Sequence, residues 1–171
     1  VLYAVPWPAQ GLYTANPVEK VEDLEGVKFR AYNSTTSQLA DLTGMVATQV
    51  EVPEIPTAFA TGIVEAMITS PSTGANSKAW DFVSNFYDVQ AWLPKNMVVV
   101  NAKSFDALPE AAQKAVMDAA AKAETRGWEM SMAEADAKKK ILAENGMNVA
   151  APSDELKAGL SKAGETMVAD W

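Results

Sequence analysis

The sequence predicts an α/β fold with one unusually long helix. Strand-like and helix-like stretches alternate through residues 1–70, which favours a sheet of parallel strands connected by helices. Residues 109–145 favour helix throughout, and about 36 residues of helix reach roughly 54 Å, which exceeds the diameter of a small domain. This helix therefore either breaks or bridges two lobes. Hydrophobic residues make up 49% and charged residues 21% of the chain, so a folded core is expected.

The first predicted elements lead to a strand followed closely by a helix. Residues 1–5 are apolar enough for a buried strand, residues 9–22 look irregular, and residues 21–24 fit a single helical turn. Residues 27–31 alternate between apolar and polar side chains, the pattern of a short strand. A helix follows from Asn33, Ser34 or Thr35, with Thr35 and Gln38 fitting a capping box, and ends at Gly44.

The next stretch continues the alternation. The patterns predict a strand over 46–52, a short helix around 57–61, a strand over 63–68 and a polar loop over 69–74. If the strands are parallel, the residues that follow residues 31 and 68 lie at the same edge of the sheet, where ligands of open α/β sheets bind.

The second half is predicted to be mainly helical. The patterns indicate a helix over 78–86, a strand over 97–100, the long helix over 109–145 and a last helix capped by Ser153. Trp80, Phe82 and Phe86 have the spacing of a buried helix face.

Composition excludes several classes of function. The formal net charge of −8 argues against nucleic acid and against insertion into an anionic membrane surface. The absence of His and Cys excludes a Ser-His-Asp triad, a thiol nucleophile and metal sites built on these ligands. No phosphate-binding or dinucleotide-binding motif is present, so no cofactor is predicted. Acidic residues remain as candidates for catalysis, because two of Glu51, Glu54 and Glu65 could act as an acid and a base if they cluster. The simpler alternative is that all three are solvated surface charges.

Arg30 is the strongest candidate for binding chemistry. It is one of only two arginines, the other being Arg126, and it lies near the end of a predicted strand, just before a helix N-terminus. A guanidinium can bind a carboxylate through two parallel hydrogen bonds, and the helix terminus adds partial positive charge. The alternative is that Arg30 pairs with a surface acid such as Asp23 or Glu25.

Three aromatic residues are further candidates. Trp7, Tyr32 and Trp92 lie next to predicted turns, where they either form a wall of a pocket or pack within and between lobes. We include Trp7 among the candidate ligand-binding residues.

Several motifs resemble the DctP-like solute-binding proteins of TRAP transporters, the tripartite ATP-independent periplasmic transporters. The run VEDLEGVKFR at 21–30 resembles the signature "eDLkGlKiR" of that family, and AFATGIVEA at 58–66 is similar to "aLqtGvvDg". The run FYDV at 86–89, the run NAKSFDAL at 101–108 and the following helix continue the resemblance in the same order along the chain.

The resemblance implies a two-lobed periplasmic-binding-protein fold with a long lobe-bridging helix, one lobe being incomplete in this chain. Residues 8–96 would form the α/β ligand-binding lobe, and residues 1–7 and 97–108 would belong to the other lobe. Residues 109–145 would form the bridging helix and residues 146–171 a C-terminal helical segment. The N-terminal part of a family member would be missing.

The resemblance also implies a function, a location and partners. It implies a periplasmic protein, made with a signal peptide in its precursor, that captures a small organic acid for the membrane permease subunits of a TRAP transporter. The carboxylate-binding arginine of the family falls on Arg30, with Asn33 and either Thr69 or Ser70 as polar neighbours. Gln10 occupies the region where some members have a second arginine, which favours a monocarboxylate or a neutral second contact. A small carboxylate-using enzyme and a periplasmic sensor on the same fold are the alternatives.

Overall fold

The computed structural model describes all 171 residues as eight strands, six α-helices and three 3₁₀ turns. The strands are β1 (Tyr3–Pro6), β2 (Gly11–Thr14), β3 (Lys28–Ala31), β4 (Val46–Gln49), β5 (Ala66–Thr69), β6 (Asn85–Tyr87), β7 (Lys95–Val98) and β8 (Asn148–Ala150). The helices are α1 (Ser34–Thr43), α2 (Ile55–Ala60), α3 (Pro71–Asn76), α4 (Ala102–Asp106), α5 (Glu110–Glu144) and α6 (Asp154–Asp170). The 3₁₀ turns are Val21–Leu24, Val52–Glu54 and Ala79–Asp81.

Six strands form the main sheet in the order β4-β3-β5-β2-β6-β8. β3 pairs in parallel with β4 and β5, and β6 pairs in parallel with β8, whereas β2 is antiparallel to both β5 and β6. The sheet is therefore mixed, and the prediction of a parallel sheet holds only for the part that contains the β3-α1-β4-α2-β5 alternation.

The prediction that residues 9–22 are irregular outside their helical turn is wrong, because residues 11–14 form β2. All four of its residues are buried, because the strand lies inside the sheet with a neighbour on each side. A strand that is buried on both faces lacks the alternation of polar and apolar residues by which strands are recognised. The 3₁₀ turn over Val21–Leu24 is as predicted.

The main sheet has a hydrophobic core on each face. Neighbouring residues of β2 point to opposite faces, so that Leu12 packs in one cluster with Phe29, Leu39 and Leu156, while Tyr13 packs in the other. α1 and α6 cover the first face, and α2, α3 and the C-terminal part of α5 cover the second. The molecule thus has the helix–sheet–helix layers of an α/β fold.

The β3–α1 unit forms where it was predicted, with a different capping box. Asn33 caps α1, since its Oδ1 accepts a hydrogen bond from the backbone N–H of Thr36 at 2.9 Å. Thr36 completes the box by accepting from the backbone N–H of Asn33, so the predicted pair of Thr35 and Gln38 is wrong. Gly44 ends the helix with a φ of 74°, a left-handed conformation that suits glycine.

Two predictions between residues 69 and 86 are wrong. The predicted polar loop over 69–74 contains the start of α3, whose first residue is Pro71 and whose N-cap is Ser70. The predicted helix over 78–86 is a 3₁₀ turn followed by β6, in which Phe86 packs edge-on against Tyr13 at 4.8 Å between ring centroids. Pairing with the buried β2 gives Phe86 a better partner than a helix face would, and this overrides the local pattern.

The sequence predicts a helical C-terminal segment over residues 146–171, but this segment also contains a strand. Residues 148–150 form β8, which adds an edge strand to the main sheet before Ser153 caps α6. Three residues are too few to show a periodic pattern, so only the pairing with β6 defines this strand.

The remaining two strands form a separate sheet, in which β1 pairs with β7 in antiparallel fashion. β1 is half-buried rather than buried, and β7 begins two residues before the predicted strand over 97–100. The predicted long helix is confirmed as α5, whose 35 residues contact β1 near its middle and α3 and β8 further along. The division of the chain into parts of two lobes stays a prediction.

Candidate functional site

A cavity of about 510 Å³ lies at the ends of β3 and β5 and is lined by fourteen residues. Five of the six candidate binding residues are among them, namely Trp7, Gln10, Arg30, Asn33 and Thr69. The sixth, Ser70, lies behind this wall and is fully buried. The antiparallel β2 brings Gln10 to the same edge as Arg30, because it runs against β5 with Gly11 paired to Thr69.

Arg30 is a buried cation without an acidic partner in the chain. Its side chain is 1% exposed, its Nε donates to the carbonyl oxygen of Val50 at 2.9 Å, and no ion pair involves it. Burial lowers the pKa of the guanidinium, and the neighbouring Tyr32 and Glu51 act in the opposite direction. Its terminal Nη groups form no hydrogen bond within the chain, and they are therefore available to an anion in the cavity.

The alternative partners of Arg30 form no ion pair with it. The carboxylate of Asp23 accepts hydrogen bonds from the backbone N–H groups of Glu19 and Lys20 at 2.9 and 3.1 Å. These bonds lower the pKa of Asp23, whose Oδ2 holds the turn before β3. Glu25 is exposed and forms no ion pair, so pairing with a surface acid does not account for Arg30.

The N-terminus of α1 adds hydrogen-bond donors beside Arg30. Because Oδ1 of Asn33 is used as the helix cap, its Nδ2 is the part of the amide that is left for another partner. Thr35, whose backbone N–H belongs to the first turn, also lines the cavity. The Thr69 hydroxyl lines the same cavity without a partner in the chain.

Gln10 and Tyr32 are joined by a hydrogen bond at the cavity wall. The Tyr32 hydroxyl donates to Oε1 of Gln10 at 2.9 Å, and the Tyr32 ring lies 5.0 Å from Cζ of Arg30. The Gln10 side chain is 6% exposed and its Nε2 has no partner in the chain. Since no buried polar side-chain atom of the protein lacks a partner, Nε2 is accessible from the cavity.

Ser70 holds Trp7 and the start of α3 rather than facing the cavity. Its Oγ accepts hydrogen bonds from Nε1 of Trp7 at 2.8 Å and from the backbone N–H of Thr73 at 3.1 Å, and it donates to Oγ1 of Thr73 at 3.2 Å. A serine hydroxyl has one donor and two acceptor positions, so all of them are used. Trp7 is thereby fixed as a wall of the cavity.

Sequence reasoning missed part of the wall. Tyr32 and Trp92, which the sequence offers as wall residues of a pocket, both line the cavity. Leu93, Pro94 and Asn96 line it as well, because the connection from β6 to β7 passes beside β2 on its way to the other sheet. The backbone carbonyl of Trp92 accepts a hydrogen bond from the backbone N–H of Gln10. This contact between two loops leaves no pattern in the sequence.

The cavity suits a small molecule that has one negatively charged group and, elsewhere, a neutral hydrogen-bond acceptor. Its lining contains the single charged residue Arg30, no acidic residue, several free donors and the aromatic rings of Trp7 and Trp92. No group of side chains in the protein could hold a metal ion.

A larger groove of about 820 Å³ between α1 and α6 has different chemistry. Its charged lining residues are Lys157 and Asp170, and Asp170 already accepts a hydrogen bond from Gln38 at 2.9 Å. No buried cation faces it, so the smaller cavity is the candidate site.

Residues 10–171 match the family model of the bacterial extracellular solute-binding proteins, family 7, which is named DctP. The chain therefore belongs to this family, and the resemblance seen in the sequence is confirmed. Comparison with curated proteins gives no match.

Solved structures agree with this membership. The chain is similar to DctP7 of Bordetella pertussis, an extracytoplasmic solute receptor binding pyroglutamic acid, with 47% identity and a TM-score of 0.93 over 100% of the chain. DctP6 of the same organism, also described as binding pyroglutamic acid, gives 44% identity and a TM-score of 0.93 over 99% of the chain. A marine metagenome TRAP solute binding protein specific for pyroglutamate gives 38% identity and a TM-score of 0.90 over 99% of the chain.

The chain spans only part of these relatives, namely 57%, 56% and 56% of their respective lengths. The match confirms the expected α/β fold of TRAP solute-binding proteins with its long helix, of which this chain contains a six-stranded and a two-stranded sheet. The family and its neighbours are solute receptors outside the cytoplasm, not enzymes, in agreement with the expected location. None of the helices has the length and apolar character needed to cross a membrane.

Proposed function

We propose that this protein is the periplasmic receptor of a TRAP transporter and captures a small monocarboxylate. The observation that carries the proposal is Arg30, a buried cation at the cavity wall with no acidic partner and with free Nη groups. An unpaired buried charge is unfavourable, and a carboxylate bound through two parallel hydrogen bonds would compensate it. The ligand then supplies the counter-ion that the chain lacks.

We further propose pyroglutamate as the ligand. Three similar proteins, at 47%, 44% and 38% identity, are described as binding it. Pyroglutamate is a five-membered lactam with one carboxylate, which suits a lining that has one cation. Its neutral carbonyl accepts hydrogen bonds, and the free amide N–H groups of Gln10 and Asn33 are donors of the matching kind.

The proposed partners follow from the family. A receptor of this kind delivers its ligand to the membrane permease subunits of the transporter and needs no cofactor. The remaining part of the relatives' length would supply further ligand contacts.

Titration calorimetry on the complete protein tests this function. We expect binding of pyroglutamate, and weaker binding of malate, because a second carboxylate finds no second cation among these lining residues. Glutamate should also bind weakly, since its ammonium group finds no acidic residue. Tighter binding of malate than of pyroglutamate, or no binding of pyroglutamate, would contradict the proposal.

A further inference from the structure

Tyr32 contacts both polar groups that the proposed ligand would meet. Its hydroxyl donates to Oε1 of Gln10 at 2.9 Å, and its ring lies 5.0 Å from Cζ of Arg30, within the range of a cation–π contact. Tyr32 directly follows β3 and leads into the cap of α1, and its backbone N–H donates to Oγ1 of Thr36 at 3.0 Å. The position of its side chain is therefore set by the same unit that positions Arg30.

The hydrogen bond from Tyr32 favours the orientation of the Gln10 amide in which the nitrogen faces the cavity. A primary amide has an oxygen that accepts and a nitrogen that donates, and Tyr32 occupies the oxygen. The backbone of Gln10 is held as well, because its N–H donates to the carbonyl oxygen of Trp92 at 3.1 Å and its carbonyl accepts from Ala91 at 2.9 Å. Rotation of the amide would replace this bond with one from Nε2 to the phenol oxygen, which is a weaker acceptor than an amide oxygen. The orientation that presents Nε2 to the cavity as a donor is therefore favoured.

We propose that Tyr32 is a positioning residue that determines ligand specificity through Gln10. By keeping the Gln10 amide oxygen away from the ligand, it makes the site favour a carboxylate whose second polar group is a neutral acceptor. A ligand with an ammonium group in that place meets a donor and loses a hydrogen bond, which costs affinity. This inference rests on the proposed function, because it takes the cavity beside Arg30 as the ligand site.

The variant Tyr32→Phe separates the two contacts of Tyr32. Phenylalanine keeps a ring beside Arg30 and removes only the hydroxyl that fixes Gln10. Calorimetry on the complete protein should compare pyroglutamate with cyclopentanecarboxylate, which has the five-membered ring and the carboxylate but no lactam. We expect the affinity for pyroglutamate to fall about tenfold, the effect of losing one well-oriented hydrogen bond, and the affinity for cyclopentanecarboxylate to change less than about twofold.

The variant Gln10→Met tests whether Tyr32 acts through Gln10. Methionine has a similar size but no amide, so Tyr32→Phe should cause no further loss of pyroglutamate affinity when it is added to Gln10→Met. Tyr3→Phe, which removes a hydroxyl without a hydrogen-bond partner in β1, serves as the matched control and should leave both affinities unchanged. The unfolding midpoint of each variant shows whether it is folded.

The outcomes distinguish this inference from the proposed function. An unchanged pyroglutamate affinity in Tyr32→Phe, an equal loss for both ligands, or a full additional loss in the Gln10→Met background would overturn the inference and leave the proposed function in place. Failure of the wild-type protein to bind pyroglutamate would contradict both.

Discussion

Arg30 combines two properties that rarely occur together, a side chain that is 1% exposed and a charge that forms no ion pair within the chain. Its Nε is fixed by the carbonyl oxygen of Val50, which leaves the two Nη groups as a planar pair facing the cavity. Ser70, which the family resemblance implied as a polar neighbour of Arg30 at the ligand, instead accepts the hydrogen bond that fixes Trp7. The role of a polar residue at a sheet edge therefore depends on which of its hydrogen-bonding positions the protein itself uses.

Replacing Arg30 should abolish most of the affinity for a carboxylate. We expect Arg30→Ala to weaken pyroglutamate binding by about 2–5 kcal/mol, the range measured when one member of a buried charged pair is removed. Arg30→Lys should also weaken binding, because lysine keeps the charge but cannot form two parallel hydrogen bonds. Calorimetry on the complete protein measures both effects.

Arg126 provides the control for these variants. It is exposed on α5 and forms no ion pair, so Arg126→Ala should leave the affinity unchanged. Equal affinities for wild type and a folded Arg30→Ala variant would show that Arg30 has only a structural role.

At the scale of elements, α5 protects the free edge of β1. β1 pairs only with β7, and on its other side the α5 residues Glu124 and Trp128 hydrogen-bond to the backbone of Ala4. Glu124 accepts from the Ala4 N–H and Trp128 donates to the Ala4 carbonyl, each at 3.0 Å. These side chains take the places of a neighbouring strand, which prevents unwanted pairing at this edge.

Gly127 permits this close approach. A Cβ atom at this position would collide with the side chain of Val5 in β1, so Gly127→Ala should push α5 away from β1. We expect a loss of about 1–3 kcal/mol in the free energy of unfolding, as for other overpacked sites. Denaturant unfolding of the complete protein measures this change.

Gly164 in α6 is the matched control, because a Cβ there would have no neighbour within 4 Å. Alanine has a higher helix propensity than glycine, so Gly164→Ala should stabilise the protein by about 0.5–1 kcal/mol. If both substitutions stabilised the protein, the tight packing of α5 against β1 would be refuted.

At the scale of the whole molecule, α5 connects the six-stranded sheet and the two-stranded sheet. Its 35 residues extend about 52 Å. The helix contacts β1 near its middle and the layer on the main sheet further along, where Lys139 pairs with Asp88 at 3.1 Å and Glu134 accepts from Ser72 at 3.1 Å. The end of β7 and the two residues after it expose a run of apolar side chains at Met97, Val98, Val99 and Val100. The exposed run is the kind of surface that another part of a folded protein normally covers.

We therefore expect a polypeptide of residues 1–171 alone to self-associate. Exposed apolar side chains on a short sheet whose edge at β7 is open favour association in water. Light scattering should show particles larger than a monomer for this polypeptide and a single species for the complete protein. A monomeric 171-residue product that unfolds cooperatively and binds pyroglutamate would refute this expectation.

Local signals in the sequence were enough for the elements that are defined by short-range interactions. The start of α1 within residues 33–35, its end at Gly44 and the continuous helix after Pro109 depend on caps and helix propensity, which act within a few residues. The sequence also singled out Arg30, because a rare arginine at the end of a strand is visible without any knowledge of its neighbours. The family motifs then predicted the fold class.

Only the tertiary structure decided the elements and contacts that depend on distant residues. β2 and β6 form because each is buried between partners far along the chain, and pairing at that range leaves no local pattern. The same holds for the site, where Ser70 is used by Trp7 and Gln10 is oriented by Tyr32 across 63 and 22 residues respectively. The sequence by itself determined which chemistry the site has, and the folded chain determined which atoms are left free to bind, because hydrogen bonds within the protein use up some donors and acceptors first.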